Sequence, residues 1–441
     1  AAERLDVELD GMSIPILIQD LAEWSRSKTE ARSELSSWLN LLDSDSRAGL
    51  EKLLSAPLIK DRSMGRQILG SWAGRQLLDE LSDLIRLDED RSGAKVIKTL
   101  EELLASQVEV DTLDLLLSLP AKSIRLDLDA LLRLADRWRL QLQLRRRLVL
   151  ELDKFSKPLR TPKSFSLEPE AINQYISPKK IPLIVDHRFE PLGIEIWSPP
   201  INKTSKKLWI VLMPGLGGSQ EHFRWLANIL TSKGWPVVVL EHPGSDVNAL
   251  KDLLEGWRSP PGAEVLPDRL ADLEAVLLAK EEGKLDVQGE KVVLVGHSLG
   301  ALTALLAAGA SPEPGLRNRC KYALDDLSLM NLSQLLQCQL SDVSLPIKFQ
   351  VSNLEAIVGL NSFGSLLWPG EGDVELGIPI LFTGGTFDLI TPPISEQLRL
   401  LIATTSHPKS RVLLVEGASH FSPIRVEEKD EVESGEDIFR L

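Results

Sequence analysis

The chain is poor in cysteine, histidine and tyrosine, with two, six and two of these among its 441 residues. Two cysteines, Cys320 and Cys338, cannot form a multi-bridge scaffold or a thiolate-rich metal site, and no Cys/His cluster has metal-ligand spacing. The residues leave two readings of this pair open: ordinary buried thiols, or a single bridge closing the segment between them. No apolar run reaches the ~18–20 residues of a membrane-spanning helix. Basic residues are the minority, 50 Lys and Arg against 64 Asp and Glu, for a net charge of −14. Without a basic surplus there is nothing to displace counterions from nucleic acid, and adhesion to anionic lipid is disfavoured. The Gly-rich stretch Pro214-Gly215-Leu216-Gly217-Gly218-Ser219 lacks the Lys-Ser/Thr ending of a phosphate loop. No metal or cofactor is expected, and an uncharged or apolar substrate fits these absences.

The length suggests two or three domains. Residues 1 to about 155 are Leu-rich with helical spacing, after a short alternating stretch, Arg4 to Leu9. This half is expected to be a mainly helical accessory domain. Arg133, Arg137, Arg139 and Arg145-Arg146-Arg147 fit either a solvated helix face or a docking surface for an acidic protein or lipid head group. Residues 156–182, rich in Pro, Ser and Lys, form the expected linker. From residue 183 to 425 apolar strands alternate with helices: Leu192 to Trp197, Leu208 to Met213, Pro236 to Leu240, Lys291 to Val295, Ala356 to Leu360, Ile378 to Phe382 and Val412 to Val415. This pattern predicts an α/β fold with a mostly parallel sheet, whose ligands bind at the carboxyl ends of the strands. Residues 426–441 read as an acidic, solvated segment.

Within that alternation, Val292-Val293-Leu294-Val295 runs into Gly296-His297-Ser298-Leu299-Gly300 and then into an apolar helix, Ala301 to Ala308. Strand, Gly-x-Ser-x-Gly and helix together are the context of a nucleophile elbow, with Ser298 at the apex. Gly296 and Gly300 lack the Cβ atoms that would keep strand and helix apart. A serine hydroxyl needs a base, itself oriented by an acid, and here the order should be Ser, Asp or Glu, then His. His187, His222, His242 and His297 precede the serine, and His407 enters the last strand. His420 alone follows a strand, which makes it the candidate base. Asp388, after Ile380-Leu381-Phe382-Thr383-Gly384-Gly385, is the candidate acid, with a turn or helix-capping role as the plainer reading and Asp373 as runner-up. The N–H groups of Leu216 and Leu299 are expected to form an oxyanion hole.

Five motifs together resemble the α/β-hydrolases: Pro214 to Gly218, Glu241-His242-Pro243-Gly244-Ser245, the Ser298 pentapeptide, Gly384-Gly385-Thr386-Phe387-Asp388, and Glu416-Gly417-Ala418-Ser419-His420-Phe421. Residues 185 to 425 are similar in particular to platelet-activating-factor acetylhydrolases and dienelactone hydrolases. The chain as a whole resembles cyanobacterial hydrolases with an uncharacterised helical N-terminal domain. The resemblance implies a serine esterase or lipase-like enzyme without cofactor. It also implies export to the periplasm or beyond, which the small residues Ala1-Ala2 would fit as a signal-peptide scar, although a cytoplasmic location and a trimmed start stay open. Pro214 stands where such enzymes carry His. Residues 311–350, containing Leu327, Met330, Leu332, Leu335 and Leu336, are expected to cap the site, and Asp246 to Pro267 to wall it. An apolar acyl or aromatic ester, small molecule or lipid, is the expected substrate. Acyl transfer or thioester cleavage by the same groups, and a non-catalytic scaffold on this fold, are the alternatives.

Overall fold

Ile18, Leu21, Leu104, Leu113 and Ile124 lie buried together in one apolar cluster, which is the core of the first of two compact units in the computed structural model. The structure describes residues 2–27, 33–41, 43–55, 57–59, 84–87, 94–107, 109–155, 176–200, 207–255, 257–258, 261–325, 331–346, 350–370, 374, 376–404 and 407–425. The first unit comprises Ala1–Leu142 with Lys251–Pro260, and the second Gln143–Leu250 with Pro261–Leu441.

In the first unit the helices accompany a four-stranded sheet, which the mainly helical expectation did not include. Strands β1 (Arg4–Leu9) and β2 (Met12–Leu17) form an antiparallel hairpin. Asp10 and Gly11 turn it with φ of 49° and 74°, the left-handed pair that a two-residue hairpin favours. β3 (Pro57–Ile59) and β5 (Val110–Asp111) make a separate pair, while β4 (Ile85–Leu87) and β6 (Ser123–Asp127) complete the main sheet in the order β2-β1-β6-β4. Asp-Gly between two alternating runs was the available signal for β2. The leucine spacing that follows it masked the pattern.

The helix Leu128–Phe155 carries the arginine cluster, and the boundary between the units falls inside it rather than at residue 155. Its continuous hydrogen-bond ladder leaves no break where the composition changes. Arg133, Arg146 and Arg147 are exposed, and the side chains of Arg137, Arg139 and Arg145 lie outside the described residues. The expected linker lies outside them over 156–175, and its last residues are not linker: β7 (Lys179–Leu183) is an edge strand. The acidic segment 426–441, Leu327, Met330 and Asp373 also fall outside the described residues.

In the second unit β7, β8 (Leu192–Trp197), β9 (Leu208–Met213), β10 (Val237–Leu240), β11 (Lys291–His297), β12 (Leu354–Leu360), β13 (Ile380–Gly385) and β14 (Arg411–Val415) form one sheet. Their spatial order is β14-β13-β12-β11-β9-β10-β8-β7. Pairing is parallel from β10 through β14 and antiparallel only at β8 and β7. Near-continuous apolar strands such as Leu208–Met213 are the signature of a sheet covered on both faces. The helix Leu299–Ala307, apolar on all sides, is buried along its whole length.

The segment 311–350 holds the helices Leu316–Asp325 and Ser333–Gln339, joined by the Cys320–Cys338 disulfide with Cα atoms 5.5 Å apart. Its second helix is fastened to the loop after β13, where Ser333 N–H donates to Ile390 O at 2.9 Å. The buried carboxyl group of Glu396 accepts from Asn331 Nδ2 (2.6 Å), Gln337 Nε2 (3.2 Å), Ser365 Oγ (2.8 Å) and the N–H groups of Gly364 and Ser365. With Ser333 Oγ (3.3 Å) as a sixth donor, Glu396→Ala leaves six donors without this acceptor in a buried interior. It is expected to cost about 3–5 kcal/mol in urea unfolding at an unchanged m-value.

Candidate active site

Ser298 sits between β11 and the helix Leu299–Ala307 with φ 51° and ψ −115°. A left-handed non-glycine residue costs roughly 1–3 kcal/mol, which the surrounding packing must hold. Its N–H donates to Leu360 O of β12 (2.8 Å), and its carbonyl accepts from Ala301 N–H and Leu302 N–H. A Cβ at Gly296 would collide with the backbone of Gly300, so strand and helix cross in contact. Ser298 is 6% exposed, and its Oγ has no hydrogen-bond partner among the described residues.

Asp388 and His420 are brought together by two interlocked loops. Phe387 N–H donates to Ala418 O at 2.9 Å, Thr386 N–H to Val415 O at 3.1 Å, and Gly417 N–H to Thr386 Oγ1 at 2.9 Å. His420 Nδ1 then lies 2.9 Å from Asp388 Oδ2, with the carboxylate fully buried. Oδ2 also accepts from Asn361 Nδ2 (2.7 Å) and Thr391 Oγ1 (2.6 Å). Oδ1 accepts from the N–H groups of Ile390 (2.9 Å) and Thr391 (2.8 Å). Asp388 thus makes the contacts of a turn through Oδ1 and meets the His420 ring through Oδ2. Burial alone would raise its pKa. The bonds to His420 and Thr391 outweigh burial and hold the carboxyl below the ordinary aspartate range. The next helix begins at Gln397.

The imidazole of His420 lies against that of His297, Ser298's chain neighbour, with ring centroids 4.9 Å apart. His297 Nε2–H donates to His420 O at 2.9 Å, which anchors the backbone of His420 to the elbow. Burial, then the neighbouring His420, lowers the His297 pKa to about 3, so this ring stays neutral and keeps its Nε2 proton for that bond. The far end of the loop is tied down by Trp225 Nε1 donating to Pro423 O (3.0 Å) and by Arg425 N–H donating to His222 O (3.1 Å). His407 is at the opposite end of β14, where its Nδ1 accepts from Lys409 N–H.

The turn after β9 presses on the elbow: a Cβ on Gly300 would strike the carbonyl oxygens of Met213 and Pro214, and one on Gly215 would lie 3.1 Å from Ser298 Cβ. Gly217 N–H is used by Ser245 O (2.7 Å) and Gly218 N–H by Gly215 O (3.2 Å). The N–H groups of Leu216 and Leu299 have no acceptor among the described residues. Two backbone donors are thus unengaged beside a serine oxygen that is itself unengaged. Leu299 is the first residue of its helix, so its N–H carries the positive end of the helix dipole.

The comparisons with known proteins agree with this architecture. A family model described as "Alpha/beta hydrolase family" matches residues 210–432, more than half of the chain. The chain belongs to the alpha/beta hydrolases. A second model, "Alpha/beta hydrolase of unknown function (DUF1400)", matches residues 1–127 of this hydrolase. A comparison with curated proteins gave no match. Neither model description extends to platelet-activating-factor acetylhydrolases, dienelactone hydrolases or a cyanobacterial origin.

Sequence reasoning missed the partners that hold the alpha/beta hydrolase site together: Asn361, Thr391, His297 and the buried cluster behind the 214–218 turn. In that cluster Asp272 accepts from Arg188 Nε (2.5 Å) and Nη2 (2.7 Å), and its oxygens lie 2.8 Å from His242 Nδ1 and 2.7 Å from His187 Nε2. Burial opposes the Asp272 charge, but His242 and Arg188 hold its carboxyl far below the ordinary range. Burial, then Arg269, lowers His242 to about 4, so its ring is neutral near pH 7.

Glu241, just past β10, behaves in the opposite way. Burial, then the charges of Asp246, Glu195 and Glu221, raises its pKa to about 7, with Lys180 too weak to compensate. The folded chain keeps a proton that the unfolded chain loses near 4.5, so stability is present at low pH and falls as pH rises from about 4.5 to about 7. Glu241→Gln is expected to raise stability by roughly 2 kcal/mol at pH 8, and to match wild type at pH 4. Urea midpoints at the two pH values check this, and equal midpoints at pH 8 contradict it.

Proposed function

We propose that this alpha/beta hydrolase cleaves carboxylic esters through an acyl-enzyme formed on Ser298. The observation that carries the reading is the buried Asp388–His420 pair, tied by His297 to an elbow whose serine oxygen is free. Asp388 Oδ2 accepts the Nδ1 proton of His420, which leaves Nε2 as the basic nitrogen. Free enzymes often lack the nucleophile–base bond until substrate tightens the site, so the unengaged Ser298 Oγ is the expected resting state. As Oγ attacks the ester carbonyl, its proton passes to His420 Nε2 and the carbonyl oxygen becomes an oxyanion. The N–H groups of Leu216 and Leu299 receive that charge, each donor typically contributing roughly 3 kcal/mol. Collapse expels the alcohol with the proton from His420. Water then repeats the sequence to release the acid and restore Ser298.

Phe387 and Phe421, the neighbours of Asp388 and His420, are 57% and 36% exposed. An apolar rim beside the reacting groups favours an acyl chain or aromatic ester over a sugar or charged peptide. The disulfide in the 311–350 segment favours an oxidising compartment. A protein or lipid partner for the N-terminal unit belongs to the same reading, and the exposed Arg133 of that unit is where an acidic surface would be sought.

A fluorophosphonate probe followed by peptide mapping tests the reaction class, with p-nitrophenyl esters of increasing acyl length testing the substrate class. Labelling confined to Ser298 and faster release from longer acyl chains are expected. Absence of labelling together with absence of ester release rejects the reading.

A further inference from the structure

The proton transfers above make no use of a buried guanidinium. Arg269, on the helix Leu266–Glu281, is 1% exposed. Its Nη2 donates to Pro214 O, its Nη1 to Ser245 Oγ (2.8 Å) and its Nε to Thr303 Oγ1 (3.3 Å). Each contact leads to a segment that carries or supports an oxyanion donor. Pro214 begins the turn in which Leu216 lies. Ser245 O accepts from Gly217 N–H in the same turn at 2.7 Å, and Thr303 Oγ1 donates to Leu299 O at 2.8 Å.

A desolvated cation is an expensive way to fill space, since apolar residues of similar volume often leave a fold equally or more stable. Its planar fork supplies what an apolar residue or lysine lacks: several donors at fixed mutual angles. Here the fork links three chain segments. Because the turn is pressed against the elbow at Gly300, a shift of the Pro214 carbonyl moves Leu216 N–H relative to Ser298.

We propose that Arg269 is a positioning residue, which sets the separation of the Leu216 and Leu299 N–H groups by joining Pro214, Ser245 and Thr303 through one guanidinium. The inference rests on the ester-hydrolase reading for its catalytic consequence, and on the hydrogen bonds alone for the clamp itself. The proline at position 214, where similar enzymes carry His, then leaves the turn's geometry to be held from beneath by its carbonyl.

The test compares wild type with Arg269→Lys, Arg269→Met and Thr303→Val on a p-nitrophenyl ester. It also measures binding of a trifluoromethyl ketone, whose adduct with serine carries an oxyanion. Arg269→Met is expected to lower kcat about 100-fold with KM within about threefold, and to weaken ketone binding in parallel with kcat. Arg269→Lys should recover only a small part, because three donors on one nitrogen atom cannot span acceptors met by three separate nitrogens of the guanidinium. Low millimolar guanidinium ion should partly rescue Arg269→Met and leave Arg269→Lys unchanged. Thr303→Val keeps the guanidinium and removes one arm, with an expected kcat loss of about fivefold. It serves as the test if Arg269→Met does not fold. Variants of native circular dichroism with kcat and ketone affinity unchanged from wild type overturn the proposal, even if their melting temperature falls. If wild type itself turns over no ester, the hydrolase reading fails and hydrogen exchange of residues 213–218 decides the clamp. Exchange at least about tenfold faster in Thr303→Val supports it, and unchanged exchange rejects it.

Discussion

Ser298→Ala is expected to lower ester kcat by about four to six orders of magnitude while leaving KM within a few-fold of wild type. The substitution removes one atom, Oγ, which has no hydrogen bond among the described residues, so no buried partner is left stranded. Alanine and serine both carry Cβ, and the strain of the left-handed backbone at φ 51° is nearly the same for each. The urea midpoint should therefore hardly change. What disappears is the nucleophile, and what persists is the background from oriented binding and any remaining oxyanion stabilisation. Steady-state kinetics with a burst assay, together with intact mass after fluorophosphonate treatment, separates these terms. Residual turnover within tenfold of wild type would place the nucleophile elsewhere.

Asp388→Asn is expected to lower kcat by about 10⁴-fold at neutral pH, through the wrong imidazole tautomer rather than a lost contact. In the structure every polar neighbour of this side chain other than the His420 ring donates to it: Asn361 Nδ2, Thr391 Oγ1, and the N–H groups of Ile390 and Thr391, and of these only the Thr391 hydroxyl could turn to accept instead. An amide must turn its own NH₂ toward one of these or toward His420 Nδ1. Facing Nδ1, it favours the tautomer that carries its proton on Nε2, which cannot accept from Ser298. The variant should also lose stability, since donors now confront a donor. The acid behaviour follows from the same contacts. The folded carboxyl lies below the ordinary aspartate range, so its contribution to stability is present above the unfolded value and is lost as pH falls through the folded one. Between about pH 4 and 5, Asp388 stays ionised, and any loss of turnover there has another source. A pH–rate profile of wild type against Asp388→Asn, with urea midpoints at each pH, checks both statements. A variant within tenfold of wild-type kcat at neutral pH contradicts the assignment of the acid.

Local chemistry was enough to read the sheet of the second unit and the order of its site residues. The strands Leu192–Trp197 and Leu208–Met213 were legible to the residue, because an apolar run ends abruptly at a turn former. Ser298, Asp388 and His420 were singled out because each follows a strand at the edge where parallel sheets place ligands, and the fold puts the last two in contact. The chain also carried the signal for the hairpin at Asp10-Gly11, which the surrounding leucines obscured. The supports of the site were out of reach. Asn361, Thr391 and Arg269 stand in local settings that carry no motif, His297 lies in the elbow with nothing local to name its partner, and these partners lie up to 123 positions away. Periodicity reports which face of an element is apolar. Whether a buried polar atom meets its partner depends on how separate segments converge, and only the folded chain decides that.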